Sequence, residues 1–319
     1  MSMNKILAND GISESGIQLL EKEGFEVITT KVAQEELENY INKNNITVLL
    51  VRSATQVNGA LLDACPGLKL VGRGGVGMDN IDVAYAKSKG IQVVNTPAAS
   101  SQSVAELVFA HLLNGVRFLH DSNRSMPLEG DKNFKMLKKG YAKGTELRGK
   151  TLGIIGMGRI GKATAELALG MGMKVLYNDH YLETARIQVS FFDGQSVTFN
   201  LTSSPIEAVL KASDFISLHV PAQKDYVIGK KELELMKTGA GIVNASRGGT
   251  VDEEALLEAL DADKLSFAGL DVFESEPSPE IKILMHPKIS LSPHIGAATK
   301  EAQDRIGVEL AAQIITLLK

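Results

Sequence analysis

Three polar residues in the second half of the chain follow apolar runs. Arg247 stands in NASRGGTVD after Gly241–Asn244, Glu276 in GLDVFESEP after Ala268–Val272, and His294 in LSPHIGAAT after Ile289–Ser292. If those runs are strands of a parallel sheet, all three loops leave its carboxyl edge, where such sheets bind ligands. An imidazole poised near neutrality can take a hydroxyl proton while hydride leaves the same carbon. A carboxylate beside it favours the imidazolium and raises its pKa, which suits the reverse, acid role. A guanidinium grips a carboxylate in bidentate fashion and polarises an adjacent carbonyl. Hydride transfer at C2 of a 2-hydroxy acid needs these three groups. Taken singly, the His could pack a turn, the Arg could be solvated, and the Glu before Pro277 could sit on a surface turn. Their shared placement carries the catalytic reading.

The hydride needs an acceptor, and G-x-G-x-x-G occurs twice: Gly72, Gly74, Gly77 and Gly156, Gly158, Gly161. In a dinucleotide fold the first Gly allows a tight turn, the second lets backbone approach pyrophosphate, and the third lets helix pack on strand. Free N–H groups at the helix N-terminus then face the phosphates. The second copy meets these conditions. TLGII precedes it, the Ala-rich Arg159–Leu169 follows, and KVLYN leads into Asp179, eighteen residues past Gly161. An acid there accepts ribose hydroxyls and repels a 2′-phosphate. With His180 rather than Arg or Lys next to it, NAD is expected over NADP. The first copy has no such acid; its next strand ends at Asn95-Thr96. Gly72–Gly77 reads as a loop admitting another ligand or bordering the cleft.

Two series of short apolar runs must position these groups. Lys5–Ala8, Glu26–Thr29, Val48–Val51, Leu68–Val71 and Gln92–Asn95 read as strands, with helices such as Ser13–Glu23 and Gln34–Asn44 between them. The long apolar Ser103–Leu119 follows, then a polar, basic Asp121–Arg148 without strong periodicity. The second series runs through Thr151–Ile155, Lys174–Asn178, Phe215–His219 and the three runs named above, and Ala297–Leu318 reads as a last helix. The runs are near-continuous, as in strands buried on both faces. The expected fold is α/β, with two doubly wound parallel-sheet domains: a Rossmann cofactor domain, 99–296, inserted into a flavodoxin-like, discontinuous substrate domain, 1–98 and 297–319. A cleft between them is expected to close on the substrate. Ile187–Leu201 alternates with period two around Asp193-Gly194. It reads as an inserted hairpin of unknown role, pairing Phe191 with Val197, Val189 with Phe199 and Ile187 with Leu201 across a loop Asp193–Gln195.

Composition excludes other classes. The 319 residues carry 34 Lys+Arg and 38 Asp+Glu, a net charge of −4, which leaves no basic field for nucleic acid. Aromatics are 5% with no Trp, too few for a base-stacking surface. The single Cys65 excludes an internal disulfide and a Cys-rich metal site. His111, His120, His180, His219 and His286 show no metal-ligand spacing. They read as structural, with His219 at a strand end lining the cofactor cleft. No apolar run reaches a membrane span and the N-terminus lacks a signal-like segment, so a cytoplasmic protein is expected.

LVRSATQV, LVGRGGVGMDNIDV, VVNTP, GTELRGKTLGIIGMGRIGK, NASRGGTVDEEAL, LDVFESEP and SPHIGAATKEAQ occur in this order. On these segments the chain resembles the D-isomer-specific 2-hydroxyacid dehydrogenases over nearly its whole length. The resemblance implies that His294 is the acid/base, Glu276 its partner and Arg247 the anchor of the substrate carboxylate and carbonyl. It places Val76, Arg159, Ile160, Asp179, Val220, Ala245, Ser246, Asp271, His294, Gly296 and Ala297 along NAD. It places Arg52, Ser53, Gly74 and Gly75 in substrate loops, with Arg52 as the fixed cation for a phosphate. The expected reaction is oxidation of 3-phospho-D-glycerate to 3-phosphooxypyruvate, the first step of serine synthesis. The alternatives are reduction of hydroxypyruvate, glyoxylate or another 2-keto acid, and, more distantly, a non-catalytic NAD sensor. A homodimer or higher homo-oligomer is implied. Lys135, Lys138, Lys139 and Lys143 read equally as a solvated face or as added field for phosphate across a dimer. Long family members carry a C-terminal regulatory domain that binds serine; the chain stops at Lys319, and inhibition through such a domain is not expected.

Overall fold

The computed structural model describes residues 4–319. It divides into two compact units, one running to Ser101 and including Ala297–Lys319, the other Gln102–Gly296.

The first unit runs β1 (Lys5–Ala8), α1 (Glu14–Lys22), β2 (Glu26–Ile28), a 3-10 turn at Gln34–Glu36 leading into α2 (Leu37–Asn44), β3 (Ile46–Val51), α3 (Gly59–Ala64), β4 (Leu70–Arg73), α4 (Val83–Ser88) and β5 (Gln92–Asn95). Its five strands are all parallel in the order β2-β1-β3-β4-β5. Side chains alternate between two cores, which explains the unbroken apolar runs. Leu7, Leu49, Val51 and Val71 join Ile41 and Leu62 on one face. Ile6, Val48, Leu50 and Leu70 join Leu20, Ile306, Leu310 and Ile314 on the other. Each such side chain contributes roughly 1.5–3 kcal/mol on burial. Gly72 corrects the sequence reading. It lies inside β4 rather than in a ligand loop, and a Cβ there would stand 2.7 Å from Leu50 Cδ2 and 3.3 Å from Leu310 Cδ2. Packing beneath the closing helix requires it.

The second unit runs α5 (Ser101–Val116), α6 (Leu119–Glu129), α7 (Phe134–Gly140), β6 (Thr151–Ile155), α8 (Arg159–Gly170), β7 (Lys174–Asn178), β8 (Thr184–Ser190), β9 (Ser196–Thr202), α9 (Ile206–Ala212), β10 (Phe215–Leu218), α10 (Lys230–Leu235), β11 (Ala240–Asn244), α11 (Glu253–Asp261), β12 (Leu265–Leu270), α12 (Ile281–Met285) and β13 (Ile289–Leu291). The closing helix of the first unit is α13 (Lys300–Leu318). Six parallel strands lie in the order β13-β12-β11-β10-β6-β7. The order reverses between β6 and β10, which marks the ligand crevice of an open parallel sheet. The polar stretch after α5 is helical after all. Neither α6 nor α7 has a buried residue, so no apolar period marked them.

The inserted hairpin forms with a different register. Val189 pairs with Val197, Ile187 with Phe199 and Ala185 with Leu201, two residues away from the pairing expected. A slip of two keeps every side chain on its face, so alternation could not decide it. The turn decides: Gly194 has φ +85° and ends a three-residue loop, Phe192–Gly194, closed by the Phe191 N–H on Gln195 O at 2.8 Å. Phe191 is exposed instead of joining the apolar face, and Phe192 beside it is exposed as well.

Candidate active site

The second unit builds its crevice at the carboxyl ends of β6, β7 and β10. Gly156 turns the chain at φ +94°, where a Cβ would lie 2.6 Å from His219 O. Gly158 has nothing within 4 Å of a notional Cβ. At Gly161 a Cβ would fall 2.1 Å from Gly156 O, so α8 packs directly on the turn. No side chain caps α8 and its first turn holds Arg159 and no acid, which leaves the helix end suited to an anion. Asp179 stands beside this loop. Its Oδ2 accepts Met157 N–H at 2.7 Å, and its Oδ1 accepts Tyr181 N–H at 2.9 Å and Leu182 N–H at 3.0 Å. Burial alone would raise its carboxyl, but these donors outweigh burial and hold it below the usual carboxylate range. His219 follows β10, with Nε2 2.9 Å from Ser217 Oγ and Nδ1 buried without a partner. Burial pushes its imidazole down to about 3. Open space over Gly158, an uncapped helix end and an ionised Asp179 fit a dinucleotide: α8 would hold its pyrophosphate and Asp179 its ribose.

The three chemical residues meet one strand series along the same edge. After β11, Asn244 shapes the Arg247 loop. Its Oδ1 accepts Ser246 N–H (3.1 Å) and Ser246 Oγ–H (2.8 Å), while its Nδ2 donates to Arg247 O at 3.0 Å. Arg247 Nη1 donates to Ser246 O at 2.7 Å. A Cβ on Gly248 would sit 1.8 Å from Phe273 O, so this loop and the one after β12 touch backbone to backbone. In that second loop, Glu276 Oε1 accepts Phe273 N–H at 3.0 Å, which aims Oε2 at His294 Nδ1, 2.8 Å away. Glu253 and Glu274 clasp reciprocally, each carboxylate accepting the other's N–H at 2.9 and 3.0 Å. His294 adopts φ +53°, and its loop is tied to Asp271. Asp271 Oδ1 accepts Ser292 Oγ–H at 2.6 Å and Ile295 N–H at 2.8 Å, and Oδ2 accepts Gly296 N–H at 2.8 Å. Arg247, Glu276 and His294 line one cavity of about 660 Å³. With Nδ1 engaged by Glu276, Nε2 of His294 is the nitrogen left for a substrate proton.

The remaining named residues separate by unit. Gly156, Gly158, Arg159, Ile160, Gly161, Asp179, His219, Val220, Ala245, Ser246, Asp271 and Gly296 all belong to the second. Arg52, Ser53, Gly74, Gly75, Val76 and Ala297 belong to the first. There Asp10 Oδ2 accepts Arg52 N–H at 2.7 Å and Asn80 Nδ2 donates to Arg52 O at 2.8 Å, which fixes the backbone at the end of β3. A Cβ on Gly74 would come within 3.5 Å of Arg52 Cγ, and Asn95 Nδ2 donates to Val76 O at 2.7 Å. Lys135, Lys138, Lys139 and Lys143 are solvated. Sequence reasoning missed the Gln223–Tyr226 segment, which lines the same cavity as Arg247 and Gly248. The signal was present, since this segment also leaves a strand at the carboxyl edge. Among the described residues no helix is long and apolar enough to cross a membrane.

The fold and this constellation define a nicotinamide-linked dehydrogenase. A family model for the D-isomer specific 2-hydroxyacid dehydrogenase NAD-binding domain matches residues 109–296. The chain is 42% identical over 320 residues to a hydroxypyruvate reductase of Thermotoga maritima, covering 98% of each. It is 40% identical over 319 residues to a D-3-phosphoglycerate dehydrogenase of Methanocaldococcus jannaschii, covering 99% of this chain but 58% of that one. The chain thus spans a little over half the length of that relative. A glyoxylate reductase of Paecilomyes thermophila superposes with a TM-score of 0.80 at 27% identity, over 99% of this chain and 97% of the other. The chain belongs to the D-isomer-specific 2-hydroxyacid dehydrogenases, and it is an NAD-dependent oxidoreductase.

Proposed function

We propose that the chain oxidises 3-phospho-D-glycerate to 3-phosphooxypyruvate, the reaction named for its D-3-phosphoglycerate dehydrogenase relatives. Gly156–Gly161 and Asp179 would hold NAD, which would supply the acceptor for the C2 hydride. His294 Nε2 accepts the C2 hydroxyl proton, and Glu276 holds Nδ1 and stabilises the imidazolium that results. Arg247 pairs with the substrate carboxylate and polarises the oxygen at C2. Arg159 and Ile160 open the helix that receives the pyrophosphate, while Asp179 accepts the ribose hydroxyls and disfavours a 2′-phosphate. Units 1–98 with 297–319 and 99–296 serve substrate and cofactor respectively. The same reading makes the protein a cytoplasmic homo-oligomer, with exposed Leu128, Phe134 and Met136 offering apolar contact surface.

One observation carries the phosphorylated substrate. The Arg52 backbone is clamped by Asp10 and Asn80, yet its guanidinium has no hydrogen bond or ion pair among the described residues. An uncommitted guanidinium on a fixed backbone matches a phosphate in fork geometry. A second reading, reduction of hydroxypyruvate, is favoured by the Thermotoga maritima relative, which matches the chain end to end. Steady-state kinetics with phosphorylated and unphosphorylated acids separate the two. Arg52→Ala should raise KM for the phosphorylated acid roughly 10- to 100-fold, the loss of about one charge-assisted contact. Equal kcat/KM with and without the phosphate refutes the first reading.

A further inference from the structure

We propose that His111 is a positioning residue for the His294 loop, acting through Ser292 and Asp271. The inference rests on the reading of His294 as the acid/base. His111 projects from α5 and is buried. Its Nε2 lies 2.9 Å from Ser292 Oγ and its Nδ1 2.8 Å from Ser290 Oγ. Gly269 of β12 makes room for it, since a Cβ there would stand 2.6 Å from His111 Cβ.

The direction of every proton in this chain follows from its far end. Asp271 is buried and its carboxylate accepts the N–H groups of Ile295 and Gly296. An ionised carboxylate only accepts, so Ser292 spends its single hydroxyl proton on Asp271 Oδ1. Ser292 Oγ must then accept from His111, which places the imidazole proton on Nε2. Nδ1 is bare and accepts Ser290 Oγ–H, and Ser290 Oγ in turn accepts Asn114 Nδ2–H at 2.7 Å. Burial lowers the His111 pKa; the Asp271 charge works against this, and His120 at the start of α6 works with it. The neutral Nε2–H tautomer satisfies both ring nitrogens, so the relay has one arrangement.

The loop it serves needs such a brace. His294 sits in the left-handed region, which costs a non-glycine residue roughly 1–2 kcal/mol, and such strain persists only where surroundings over-determine it. Asp271 supplies the determination, and Ser292 is one of the three donors that orient its carboxylate. Withdrawing the His111 proton frees the Ser292 hydroxyl to rotate. Asp271 then loses a fixed partner, and His294 loses alignment with Glu276 and the substrate.

The test compares His111→Gln, whose amide N–H reaches toward the Nε2 position, with His111→Asn, which reaches only the Nδ1 position. Each is made with His294 intact and in a His294→Ala background. With His294 intact, His111→Asn should lower kcat about tenfold with the 2-hydroxy acid KM unchanged, and His111→Gln should recover most of that loss. In the His294→Ala background the two should turn over at the same residual rate, since coupled residues do not add. Ser292→Ala, a smaller change, should reproduce the His111→Asn loss and serves where a His111 variant does not fold. Nitrogen-15 spectra of labelled histidine should show His111 as the Nε2–H tautomer. Equal rates for the Gln and Asn variants, an undiminished loss without His294, or a Nδ1–H tautomer overturns the relay. If His294→Ala keeps full turnover, the acid/base reading itself fails; if it loses turnover while the His111 variants do not differ, the relay alone fails.

Discussion

Acidification should expose His219 through stability. Its backbone carbonyl borders the Gly156 turn after β10, and its imidazole has one nitrogen on Ser217 and the other buried without a partner. Burial pushes its pKa from 6.5 down to about 3. The folded state therefore keeps the ring neutral where the unfolded chain protonates it. The stability attached to this ring is complete above pH 6.5 and is lost as pH falls from 6.5 toward 3. At pH 5 the unfolded ring is almost fully protonated and the folded ring almost fully neutral. The gap of about 1.5 pH units below 6.5 corresponds to about 2 kcal/mol at roughly 1.4 kcal/mol per unit. His219→Gln keeps a polar contact for Ser217 and cannot titrate. Urea unfolding of both proteins at pH 7.5 and pH 5 should show the wild type losing about 2 kcal/mol more than the variant. Proton NMR of the ring should show no titration between pH 7.5 and pH 5. Parallel losses in the two proteins, or a ring titrating near pH 6.5, would refute the buried, neutral assignment.

Other perturbations follow from the same contacts. Asp179→Ala removes the acceptor of Met157, Tyr181 and Leu182 N–H groups along with the charge facing a 2′-phosphate. NAD affinity measured by calorimetry should fall and the preference for NAD over NADP should shrink, whereas an unchanged NAD/NADP ratio contradicts the role given to Asp179. Gly161→Ala drives a Cβ toward Gly156 O, backbone that cannot rotate away; roughly 1–3 kcal/mol of stability should be lost together with NAD affinity, read by melting with and without NAD. His294→Asn should lower kcat by roughly 10²–10⁴ with little change in NAD affinity, and a turnover within a few-fold of wild type removes the acid/base role. Gly194→Ala meets no atom, yet φ +85° penalises a side chain; it should cost roughly 1–2 kcal/mol locally and leave turnover intact.

How much was legible depended on what each pattern could distinguish. Lys5–Ala8, Gln92–Asn95, Thr151–Ile155 and Lys174–Asn178 coincide with their strands residue for residue, because Gly, Pro and polar residues on either side bound each short apolar run. The hairpin between Ile187 and Leu201 was legible in kind and not in register, since period-two alternation is blind to a slip of two and only the left-handed Gly194 breaks the tie. α6 and α7 left no trace because they bury no face. The loops of Arg247, Glu276 and His294 were found by a topological rule that needs only the order of strands. The same rule held for Gln223–Tyr226, which has no distinctive chemistry and so drew no notice. His111 was the opposite case: a titratable residue noticed and read as structural, because its partners Ser290 and Ser292 lie some 180 residues away and hydroxyls carry no spacing signal. What sequence conveys here is therefore which groups are candidates to react. What holds them at the reacting geometry is a set of side chains from distant elements, each ordinary by itself, that become legible only when a buried carboxylate such as Asp271 forces every neighbour to donate.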